Sequence, residues 1–180
     1  MPIAELTLIL ILAMITSLLA IISLRPLAGK VGLLDIPHGR KQHSGAVPLI
    51  GGLAIYITLL LVLSSQLSTD PMLGYYLACS AVIVILGVFD DALDLSVKLR
   101  LVVQLAVGLA MIYSLELHIS NLGNLFGLGD VGLGVLGIPV TLIAVIAAIN
   151  AFNMTDGIDG LAGLLSMVSF SSVAVFMLLW

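Results

Sequence analysis

Charged residues are scarce in this sequence: Asp, Glu, Lys and Arg make up 9% of 180 residues, against about 25% in soluble domains. A chain so poor in charge cannot clothe a water-facing surface. Only six residues are Lys or Arg, and no basic patch is interleaved with aromatics, which excludes nucleic-acid binding. A single cysteine, Cys79, lies in an apolar segment; it excludes an intrachain disulfide and reads as a small buried hydrophobe. No positively charged segment precedes the first apolar run, which is too long for the core of a cleaved signal, so an uncleaved anchor is expected. Internal repeats are absent. What fills the sequence instead is apolar: 61% of residues are hydrophobic and the mean hydropathy is +1.29, the mark of an integral membrane protein. The net charge of −4 says little here, because charge in a membrane protein is read by side rather than by sum.

Six apolar stretches, 3–24, 47–67, 71–89, 101–117, 131–149 and 161–180, approach the roughly 20 residues a transmembrane helix needs. The expected fold is all-α, a polytopic membrane bundle of about six helices forming one domain over 1–180. All Lys and Arg residues fall in alternate connections: Arg25, Lys30, Arg40 and Lys41 after the first stretch, Lys98 and Arg100 after the third. The positive-inside rule makes those connections cytoplasmic and puts the N-terminus outside. By parity the connection between the fifth and sixth stretches is cytoplasmic as well. In the outer connection before the fifth, the Gly-rich segment is uninformative and His118 is expected to be an interfacial residue.

Residues 150–161 set Asn150, Asn153, Asp156 and Asp159 against spans on both sides. Polar and ionisable groups at a membrane are expensive and mark cavities, partners or ions. A spacing of three drifts around a helix axis, and Gly157 and Gly160 let the backbone leave the helix. The pattern predicts a helix end, a short polar loop and a new helix start. Either aspartate could cap the sixth helix, but one cap leaves the other aspartate and both amides unexplained.

Asp90, Asp91 and Asp94, followed by Lys98 and Arg100, stand where the third stretch reaches the cytoplasm. A helix C-terminus disfavours negative charge. If the helix continues, Asp90 and Asp94 share a face and Lys98 extends it. Clustered carboxylates invite a divalent cation or a shared proton; the competing explanation is a hydrated helix end with an Asp94–Lys98 pair. Carboxylate and amide oxygens suit Mg²⁺, and both acidic stretches lie on the same side, so two loops could build one site. Arg25 and Lys30 read as topology markers. Arg40, Lys41 and His43, beside Pro48 and Gly51-Gly52, could contact phosphates. Metal-binding carboxylates and phosphate-binding cations on a cytosolic membrane face point to phosphoryl chemistry on a lipid.

These residues resemble the polyprenyl-phosphate N-acetylhexosamine-1-phosphate transferases. The resemblance is carried by Asp35-Ile36-Pro37 with Arg40, Lys41, His43 and 48–52, by Gly87 to Asp91 with Asp94, Lys98, Arg100 and Gln104, and by 150–162. The wording is most similar to the bacterial members that use UDP-N-acetylglucosamine and undecaprenyl phosphate, and less so to those using UDP-N-acetylmuramoyl-pentapeptide. The resemblance implies transfer of N-acetylglucosamine-1-phosphate to undecaprenyl phosphate with release of UMP, starting O-antigen and related cell-envelope polysaccharides at the bacterial inner membrane. It implies Mg²⁺ as cofactor, with Mn²⁺ a substitute, and leaves room for a homodimer. By the same analogy Asp90, Asp91, Asp156 and Asp159 are catalytic; Asp90, Asp91, Asn153 and Asp156 hold metal; Asn153, Lys98, Arg40, Lys41 and His43 bind substrate. The family's longer chains carry a later Phe-Met-Gly-Asp type motif and a His-rich loop that this sequence lacks. The expectation is therefore an N-terminal portion of a longer transferase, with little activity from these 180 residues alone. Two other classes compete: an ion-coupled transporter, whose sites sit near the midplane, and a non-catalytic scaffold.

Overall fold

In the computed structural model, residues 3–35, 45–64, 67, 70–125, 127, 129–155 and 160–179 are described. Long apolar runs form α1 (Ile3–Ala28), α3 (Pro71–Leu93), α4 (Val97–Leu115), α5 (Gly137–Thr155) and α6 (Leu161–Leu179); α2 (Gly51–Leu63) is shorter. Among the described residues five helices are long and apolar enough to cross a membrane, the fourth including the 3₁₀ turn Gly134–Leu136 that precedes α5. At 1.5 Å rise per residue, the 13 residues of α2 reach about 20 Å, short of a hydrocarbon core of about 30 Å. The polytopic all-α fold expected from composition is what the chain adopts, and the apolar side chains along its helices are largely exposed, as lipid-facing positions are: Met14 is 74% exposed and Met177 75%.

The chain forms two compact units, 1–117 and 118–180. In the first, α1 packs on α2, α2 on α3, and α3 on α4. Ile50, Ala54 and Thr58 make the buried stripe of α2 at a spacing of four, where the small Ala54 allows close approach and the Thr58 hydroxyl donates to Ala54 O at 2.8 Å. Tyr56 OH donates to Leu77 O on α3 at 3.0 Å, so the α2–α3 contact is partly polar. Along α4 the stripe is Gln104, Gly108, Ile112 and Leu115.

Between α1 and α2 the chain turns back on itself. β1 (Leu34–Asp35) pairs antiparallel with β2 (Val47–Pro48), Leu34 opposite Pro48 and Asp35 opposite Val47. Leu33 N–H donates to Ala28 O and Leu49 N–H to Leu33 O, tying this small ribbon to the end of α1. Ala28, Leu33 and Ile50 form a buried cluster against which Leu24, Leu34 and Val88 of α3 pack. The root of the first connection is thereby fixed near the C-terminal end of α3.

In the second unit, the Gly-rich connection before α5 pairs with itself among its described residues. Leu122 N–H donates to Val131 O and Leu133 N–H to Ser120 O, a short antiparallel ribbon. Its base closes on α5, where the Ile119 N–H donates to Thr141 Oγ1 at 2.8 Å. A Cβ on Gly137 would lie 2.7 Å from Ile119 O and 2.9 Å from His118 Cδ2, so only glycine fits. The span expected over 131–149 accordingly starts later and runs on to Thr155, because 131–133 are held in the ribbon and the helix continues through Asn150 and Asn153. α6 packs on α5.

Candidate active site

Asp90 and Asp91 occupy the last turn of α3. The helix stops at Leu93 because Asp94 turns left-handed, φ 50° and ψ 65°, and its N–H closes back on Asp90 O at 2.9 Å. Residues 94–96 connect to α4, whose N-cap Ser96 accepts the Leu99 N–H on Oγ at 3.3 Å. The aspartates thus stand at a helix C-terminus, and the condition for one face with Asp90, Asp94 and Lys98 is not met: the break at Asp94 ends the helical register, and Lys98 stands exposed in the first turn of a new helix.

The ion pair at the junction is instead Asp90 with Arg100. Arg100 Nη1 lies 2.6 Å from Asp90 Oδ2, with side chains 26% and 16% exposed respectively. Each partner sits at the helix end that its charge disfavours, the carboxylate at the C-terminus of α3 and the guanidinium in the N-terminal turn of α4. Each therefore relieves the other. The pair is only half used: Asp90 Oδ1 and Arg100 Nε are buried without hydrogen-bond partners. Arg100 was legible as a basic residue, but its partnership was not, because a separation of ten fits no helical spacing and depends on the turn between two helices.

In the second unit, Asn150 and Asn153 lie in the closing turns of α5. Asn150 Nδ2 donates to Ile146 O at 2.8 Å, one turn back, and Asn153 is exposed. The predicted helix end and new helix start are present: α5 stops at Thr155 and α6 begins at Leu161. Gly160 immediately precedes α6 with φ 76°, and its carbonyl accepts the Leu164 N–H at 2.9 Å. The cap foreseen for Asp156 or Asp159 falls on residues outside those described. Asp156, Asp159, Arg40, Lys41 and His43 lie outside the described residues.

The donor set can be weighed against Mg²⁺. No three His, Cys, Asp or Glu side chains converge among the described residues. Mg²⁺ commonly takes only one or two protein carboxylates and completes its shell with water and substrate phosphates. The unpartnered, buried Asp90 Oδ1 is a hard oxygen of that kind, and Asp91 adjoins it in sequence. These residues fit a partial ligand set.

Residues 73–179 match the model of glycosyl transferase family 4. The undecaprenyl-phosphate alpha-N-acetylglucosaminyl 1-phosphate transferase of Escherichia coli (strain K12) is 43% identical over 110 residues, 61% of this chain and 30% of the relative. Its Yersinia pestis counterpart is 41% identical over the same shares. The Pasteurella multocida counterpart is 38% identical over 129 residues, 69% of this chain and 36% of the relative. The chain thus matches 30% to 36% of the length of these curated relatives. No solved structure matches it. The matched stretch runs from the start of α3 to the end of α6 and contains both acidic stretches, and the chain belongs to glycosyl transferase family 4.

Proposed function

We propose that this chain is part of a Mg²⁺-dependent phosphoglycosyl transferase. It moves N-acetylglucosamine-1-phosphate from UDP-N-acetylglucosamine to undecaprenyl phosphate at the cytosolic face of the bacterial inner membrane. An oxygen of the lipid phosphate bonds to the β-phosphorus of the nucleotide sugar, the bond to the bridging oxygen breaks, and UMP leaves with undecaprenyl-diphospho-N-acetylglucosamine as product. The product would start O-antigen or related lipid-linked polysaccharides. The observation that carries this reading is Asp90: a carboxylate at the end of a membrane helix, held by Arg100 through one oxygen with the other buried and unpartnered, inside the stretch that matches the family model.

Asp90 and Asp91 orient the acceptor phosphate and take its proton, and would hold the cation; the family resemblance gives Asn153 and Asp156 the same role. When bound, Mg²⁺ would offset charge on the diphosphate oxygens as the bond to phosphorus exchanges. Asp159 shapes the nucleotide-sugar pocket. Lys98, exposed beside the junction, meets phosphate; Arg40, Lys41 and His43 bind substrate by the family resemblance, and the described root of their connection packs against Val88, two residues before Asp90. A carrier would instead hold cations near the midplane at a broken helix, whereas Asp90, Asp91 and Asn153 belong to the last turns of α3 and α5.

The test is UMP release from UDP-N-acetylglucosamine and undecaprenyl phosphate by the complete product of the gene that encodes this sequence, purified in detergent, with Mg²⁺ and with a chelator. Release that the chelator abolishes and Mg²⁺ or Mn²⁺ restores is expected. Absence of release with both substrates and metal present would end this reading.

A further inference from the structure

Both ends of the Asp90–Arg100 pair are set by backbone. Asp90 O accepts the Asp94 N–H at 2.9 Å, and the Arg100 N–H donates to Ser96 O at 3.2 Å in the capped first turn of α4. Three connecting residues, one of them left-handed, hold the two turns together. Upon that frame the contact is a single one, Nη1 to Oδ2 at 2.6 Å. A guanidinium has five donors in a planar fork and commonly grips a carboxylate through two of them. Here Nε is buried and unmatched, and so is the second carboxylate oxygen. A pair kept only to neutralise charge would close both contacts, since unmatched buried polar atoms are costly. This one spends a single bond on fixing the carboxylate and leaves Oδ1 without a protein partner.

We propose that Arg100 is a positioning residue for the transfer reaction: by holding Oδ2 of Asp90 it fixes the direction in which Oδ1 is presented. The proposal rests on the reading of Asp90 as a residue of the transferase site. A side-chain displacement of about 1 Å at a reacting group can cost up to a hundredfold in rate, so a residue that never meets substrate can still govern turnover.

The complete gene product is purified as wild type, Arg100→Met, Arg100→Lys, Asp90→Asn and the Arg100→Met, Asp90→Asn double variant. Arg100→Met is expected to lower kcat by about tenfold to a hundredfold while the KM for UDP-N-acetylglucosamine moves by less than about threefold. Arg100→Lys, whose ammonium can supply one contact to Oδ2, is expected to recover most of the loss. A wild-type kcat in Arg100→Met overturns the proposal, and so does a Lys variant that falls as far as the Met variant. Thermal unfolding of wild type, Arg100→Met, Asp90→Asn and the double variant reads the pair without turnover. The two single effects are expected to be non-additive; additive shifts in unfolding temperature overturn the pairing itself. Silence of the wild type in the transfer assay would instead remove the transferase reading and this proposal with it, an outcome recognisable because the unfolding cycle still reports the pair.

Discussion

Asp90 carries two separable burdens, and substitution divides them. Asp→Asn at 90, 91, 156 or 159 keeps size while removing charge, and each is expected to lower UMP release by about a hundredfold or more, as loss of a charged group from an electrostatic site does. Wild-type turnover in all four would refute the assignment. Asp90→Ala also strands Arg100. Exposed pairs contribute about 0–1 kcal/mol and breaking fully buried ones costs about 3–5 kcal/mol; with side chains 26% and 16% exposed, a loss of about 1–3 kcal/mol in unfolding free energy is expected. At this scale the sequence was informative about which residues are out of place. A carboxylate in apolar surroundings announces itself, whereas its partner is chosen by a turn. Asp94 shows the same limit, for a left-handed aspartate reads in sequence like any other.

Among the elements, the helices were legible wherever apolar runs were long, and their ends were not. α5 runs past the last apolar run because an asparagine can return a hydrogen bond to its own helix, as Asn150 does to Ile146. Its start is displaced because the preceding glycine-rich segment pairs with itself, an arrangement set by backbone rather than composition. Two substitutions test these junctions. Gly137→Ala places a methyl 2.7 Å from a backbone carbonyl and is expected to cost about 1–3 kcal/mol, seen as a lower unfolding temperature; Gly74→Ala, with nothing within 4 Å, is expected to be neutral or stabilising by up to about 1 kcal/mol. Tyr56→Phe removes the hydroxyl bond to Leu77 O and is expected to cost about 0.6–1.7 kcal/mol, the range for hydrogen bonds between membrane helices.

For the molecule as a whole, the positive-inside reading makes an arrangement that labelling can check. With Cys79 replaced by Ser, a cysteine introduced at Ser96 is expected to react with a membrane-impermeant maleimide only when the cytoplasmic side is open, and one at Asn124 only from the other side. Labelling of both positions from one side would overturn the alternation. Composition sufficed for class and membrane residence; the union of the first connection with the acidic end of α3 did not show in sequence, since it rests on two paired residues and a contact at Val88.

That small ribbon acts as a leash. With Asp35 held opposite Val47, the first connection leaves and returns through one mooring, and that mooring is seated against Val88 beside the last turn of α3. A change in the tilt of α3 is therefore passed to both ends of the connection at once, as a pull on a single knot rather than on two loose cords.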